Sequence, residues 1–76
     1  MSAPSGSPNP QVAALQTTLA AEHAAVFVYG ALGARTSLSG QPALYRALTA
    51  AYSLHRDRRD ELSARVQTAG ADPVAA

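Results

Sequence analysis

Between Leu19 and Gly33 the chain reads L-A-A-E-H-A-A-V-F-V-Y-G-A-L-G, which sets one carboxylate, Glu22, in the middle of an apolar helical stripe. Alternate steps of four and three from Leu15 pick out Leu15, Leu19, Glu22, Val26, Tyr29 and Gly33, a seam that faces a neighbouring helix. An acid in such a seam is costly to bury unless a partner meets it, so this stretch demands both a second helix and a basic or metal-binding group on it.

The chain is short. Seventy-six residues, 47% of them hydrophobic, make one small domain, and a single core of that size supplies only about 3 to 5 kcal/mol. Neither a disulfide nor a cysteine-ligated zinc site supplements it, because there is no cysteine. Self-association, a metal held by other ligands, or the rest of a larger protein must do so. Six arginines, no lysine and five acids leave a net charge of +1, far from the basic balance of a nucleic-acid binder. The longest apolar run, Ala24 to Tyr29, is too short to span a bilayer, and the N-terminus lacks the pattern of a secretory signal. The expected location is the cytoplasm, with neither nucleic acid nor membrane as partner.

In chain order, residues 1–9 read as a disordered leader of small and helix-breaking residues. Asn9 followed by Pro10 marks a helix start: asparagine is a favoured N-cap, and proline at the first helical position loses an N–H that had no intrahelical partner. Helix 1 is expected over about 10–34. Gly30 and Gly33 are its weak points, read either as a close approach of a partner helix or as fraying before the turn. Residues 35–41 form a loop, Pro42 opens helix 2, and Gly70 with Pro73 beyond it closes that helix near residue 69. Residues 10–70 are thus an antiparallel helical hairpin, and 71–76 a C-terminal tail. The R-D-R-R-D-E run of helix 2 reads as a solvated face, with Arg56–Asp60 and Glu61–Arg65 as pairs four apart.

Folding the helices together about the loop brings into register positions whose numbers sum to roughly 77. The layers are then Leu15 with Leu62, Leu19 with Arg58 or Arg59, Glu22 with His55, Val26 with Ala51, and Tyr29 with Leu48. Two helices with one stripe each cannot cover both stripes, so the remainder asks for another helix pair.

Glu22 and His55 are the one constellation with chemical potential. They satisfy each other as a polar pair that sets register, with Arg59, one turn after His55, reaching Glu22 as a third member. They are also the usual oxygen and nitrogen ligands of a non-haem metal site in a helical bundle. A di-metal bundle needs Glu-x-x-His on two helices; here the motif before His55 reads Tyr52-Ser53-Leu54-His55, so a homodimer collects two Glu and two His and lacks the bridging carboxylates. Iron or manganese is the cofactor of that alternative, and no cofactor is expected otherwise. His23, about 100° round the helix from Glu22, reads as a surface or boundary residue. Phe27, Tyr29, Tyr45 and Tyr52 read as core and rim aromatics. Without a phosphate loop, nucleophile elbow or metalloprotease motif, no residue is assigned a catalytic role.

The pattern L-x-x-x-L-A-A-Glu22-His23-A-A-V-F-V-Tyr29-Gly30, followed by A-Y-x-x-His55-R-x-Arg58-Arg59-Asp60-x-Leu62 and A-Gly70-A-D-P-V-A-A, resembles the actinobacterial ferritin-like domain of unknown function. That resemblance covers the chain from Val12 onward and implies the first two helices of a four-helix bundle about twice this length. It carries ferritin-type ligands over only at Glu22 and His55, and it implies a fold without an activity. The expectation is an all-α, ferritin-like four-helix bundle completed by homodimerisation, serving a structural or binding role; the alternative is a metal-binding or redox protein using Glu22 and His55 across the dimer. An adaptor whose groove takes a partner helix is a third option.

Overall fold

A computed structural model describes residues 9–76; the rest of the expected leader, residues 1–8, lies outside the described residues. The architecture is all-α: helix α1 (Pro10–Ala34) and helix α2 (Pro42–Thr68) form a hairpin, with no strand among the described residues.

Local chemistry accounts for where each helix begins and ends. Asn9 is extended, and its Oδ1 accepts from the N–H groups of Gln11 (2.8 Å) and Val12 (3.4 Å), satisfying two donors that the first turn leaves without carbonyl partners. Pro10 then occupies the first helical position. The turn after α1 is held by Thr36, whose N–H and hydroxyl both donate to the Gly33 carbonyl, at 3.1 and 3.0 Å. No side chain caps α2. Instead the Gln41 N–H donates to Ser37 O at 2.9 Å while Ser37 Oγ accepts from the Gly40 N–H, tightening the loop just ahead of Pro42. At the far end Gly70 adopts φ +87°, its N–H bonding Gln67 O and that of Ala71 bonding Val66 O at 3.1 Å. Those two bonds are the Schellman pattern, which needs a left-handed residue where glycine stands.

The two helical glycines play different parts. A Cβ on Gly30 would lie 3.3 Å from the Tyr52 ring, so Gly30 lets α2 approach; Gly33 has nothing within 4 Å and leaves open space instead.

Burial is scant. Among the described residues only Leu19 and Val66 are wholly inaccessible, while Phe27 is 77% exposed and Val28, Leu32, Leu44 and Leu54 are each exposed by more than two fifths. Charge is unevenly divided: α1 carries Glu22 and no other formally charged residue, whereas α2 carries most of the arginines and acids. A helix as apolar as α1 around its circumference is ordinarily covered on more than one side. After Gly70 the tail turns back along α1, with Gln16 bonded to Asp72 O and to the Val74 N–H and His23 bonded to Val74 O.

Replacing Gly70 by alanine forces a Cβ into the left-handed region and is expected to cost about 1 to 2 kcal/mol. Asn9→Ala should cost about 1 kcal/mol through its lost cap. Both are read as lowered midpoints in thermal circular dichroism.

Candidate functional site

Glu22 lies near the middle of α1 and His55 near the middle of α2, each on the face its helix turns toward the other. His55 Nδ1 donates to Glu22 Oε2 at 2.7 Å, and the side chains are 21% and 13% exposed. The carboxylate accepts a hydrogen bond from Nδ1–H, which leaves Nε2 as the ring's other functional atom, with no hydrogen-bond partner among the described residues. The Tyr29 ring stacks flat on the imidazole, centroids 5.3 Å apart and planes 7° from parallel. Side chains on a helix lean toward its N-terminus, so Tyr29, two turns beyond Glu22, reaches back to cover the same histidine. A ring held at Nδ1 and flanked on one face has little freedom to turn. That is the arrangement by which a carboxylate orients an imidazole to present Nε2 to a proton or a metal ion.

Arg59 stays out of this cluster: its Nε donates to the adjacent Asp60 Oδ1 at 3.0 Å, in place of the expected reach to Glu22. An acid one residue away is met with less side-chain ordering than one across the helix interface. Arg58 instead borders Glu22, in a cleft of about 330 Å³ that also includes Thr18, Glu61, Leu62 and Arg65. In place of the expected Arg56–Asp60 pair, Arg56 lies over the Tyr52 ring, 5.7 Å from its centroid. Glu61 and Arg65 do pair, at 2.7 Å.

The aromatic residues divide. Tyr29, Tyr45 and Tyr52 share a second, open cleft of about 510 Å³ near the loop, floored by Gly30 and Gly33, while Phe27 belongs to neither cleft and lies on the surface. His23, half-buried, anchors the tail, a role that sequence reasoning missed. The available signal was the spacing of Gln16 and His23, two polar residues seven apart that flank Leu19 on one face.

Among the described residues no three of His, Asp and Glu converge within the single chain, and the Glu22 oxygen nearest His55 already accepts a hydrogen bond. No helix is long and apolar enough to cross a membrane among the described residues.

A helical hairpin whose two strands of chain are clamped by one carboxylate–histidine bond defines the class of this domain. Its sequence goes further: the chain belongs to the family described as Domain of unknown function (DUF4439), whose model matches residues 14–76. No curated protein and no solved structure matches it.

In a double-mutant cycle of Glu22→Gln and His55→Gln, urea unfolding is expected to return a coupling of about 1 to 2 kcal/mol, the range for a charge-assisted bond in partial contact with water. Coupling indistinguishable from zero would show that the bond adds nothing to the fold.

Proposed function

We propose that this domain is one half of a ferritin-like four-helix bundle, completed by a second copy of the chain, and that it works as a structural or binding module rather than as an enzyme. The observation that carries the reading is the uncovered face on the Glu22 side of the hairpin, apolar toward the loop and charged at Arg58, Glu61 and Arg65 toward the other end. At about 100° per residue, Ala25 and Leu32 of α1 and Ala47, Ala51, Leu44 and Leu54 of α2 fall on the side that holds the Glu22–Arg58 cleft; Leu32, Leu44 and Leu54 are 43%, 46% and 49% exposed. Two helices about 37 Å long and about 10 Å wide present roughly 740 Å² there, close to one partner's share of a standard interface of about 800 Å². A two-fold arrangement suits the face, since each copy brings the same apolar surface and the same Glu22 to the centre.

One observation favours a second reading, that of a metal-binding or redox protein. The Glu22 carboxylate holds His55 by Nδ1 and leaves Nε2 available, and two copies assemble two Glu22 and two His55. An ion such as iron or manganese bound there would supply Lewis-acid or one-electron chemistry, with His55 as its nitrogen donor and Glu22 orienting it.

Native mass spectrometry of the protein, with and without prior incubation with iron and manganese, tests both readings. The expected spectrum is a metal-free dimer, converted to monomer by Leu54→Glu. A monomer at about 100 µM refutes self-completion, and a dimer with a fixed metal stoichiometry that Glu22→Gln or His55→Gln abolishes transfers the conclusion to the second reading.

A further inference from the structure

The opposite side of the hairpin carries a feature that owes nothing to a dimer. Gln16 binds the tail with both ends of its amide, the NH₂ donating to Asp72 O at 2.6 Å and Oε1 accepting from the Val74 N–H at 2.8 Å. A carbonyl at one residue and an N–H two residues on point to the same side of an extended chain, so this side chain makes the two bonds that a neighbouring strand would make. Pro73 stands between them, where its missing N–H costs nothing. His23 adds a third contact, Nε2 to Val74 O at 2.9 Å. All three contacts are to main chain.

Their placement relative to the core matters. Gln16, Leu19 and His23 are spaced three and four apart and form one stripe of α1, so a segment held at Gln16 and His23 crosses the turn that carries Leu19. The same segment begins at the Schellman turn, where the Ala71 N–H is bonded to Val66 O. Leu19 and Val66 are the two wholly buried residues of the described chain. A bare pair of helices has no third wall with which to seal a side chain, and nearer the loop, beyond the tail's reach, no residue is wholly buried.

We infer that the Gln16–His23 flank of α1 is a main-chain docking site whose occupant is the chain's own residues 71–76, a strap hinged at Gly70 that closes the core over Leu19 and Val66 and, when released, uncovers them. Because the site reads backbone, the strap's closure depends on Gln16 and is indifferent to the Asp72 side chain, which is exposed.

Amide hydrogen exchange of the 76-residue chain, followed by NMR, tests this. The Val74 N–H is expected to exchange on the order of tenfold to a hundredfold more slowly than in an unstructured peptide. Gln16→Ala should abolish that protection while helical circular dichroism is retained, and Asp72→Ala should preserve it. Unprotected Val74 in the native chain, protection that survives Gln16→Ala, or its loss in Asp72→Ala overturns the strap. Protection that rises with protein concentration also overturns it, since the tail would then be docking on another copy. The readout at Val74 is separate from subunit count, so a monomeric protein leaves the strap standing, and a dimer with an open tail refutes it alone.

Discussion

The bond from His55 Nδ1 to Glu22 Oε2 joins α1 to α2 near their midpoints, and the rest of the hairpin is arranged around it. A carboxylate that is 13% exposed and faces another helix tolerates few neighbours. Sliding α2 by one residue would rotate His55 away and leave Glu22 without its donor, a loss of the kind that outweighs several small apolar contacts. The polar pair therefore discriminates among registers that a surface of alanine, glycine and leucine leaves nearly equivalent. Tyr29 stacked on the imidazole and the Gly30 backbone against Tyr52 follow from that choice.

Complete burial is rare among the described residues, and most interface side chains are half-buried. With two wholly buried side chains among the described residues, the hairpin also draws on its ends: an asparagine cap and a proline at one helix start, a left-handed glycine at the other helix's finish, and a tail whose backbone is held by Gln16 and His23. Each of these contributes on the order of 1 kcal/mol. The sum is modest for a domain that leaves Phe27, Leu32, Leu44 and Leu54 in water, and the exposed leucines on the Glu22 side are what the proposed second copy would cover. Membership of the DUF4439 family identifies kin without a reaction, and fold does not supply one. What the geometry supplies is an imidazole oriented by a carboxylate beside an uncovered apolar face.

Much of this is legible in the amino-acid sequence. Local signals act within a few residues, which is why Asn9–Pro10 and Pro42 stand where the helices begin and Gly70 just past the end of the second. The meeting of Glu22 with His55 was also readable, since antiparallel register over a short loop leaves few positions opposite a given residue. Arginine partners were not. Arg59, Arg56 and Arg58 have long, flexible side chains with several acids or rings in reach, and whether Arg59 takes Asp60 or Glu22 turns on small differences in ordering and solvation that spacing does not encode. Gly30 and Gly33 could be read alike, as close approach or as fraying; α1 runs unbroken past both to Ala34, and only the position of Tyr52 makes Gly30 the point of close approach.

The sequence by itself determined the two helices, their ends, their antiparallel order and the need of Glu22 for a partner, because periodicity, capping and the cost of a buried charge are properties of the chain's own residues. Tertiary structure alone decided that Tyr29 covers His55, that Arg59 turns aside to Asp60, and that residues 71–76 return to Gln16 and His23. Those contacts join residues far apart in sequence or choose among near-equal partners. The tail in particular is recognised through its backbone, which is the same in every non-proline residue, so its own side chains carry no mark of the docking and the spacing of Gln16 and His23 on α1 is the one trace left in the sequence.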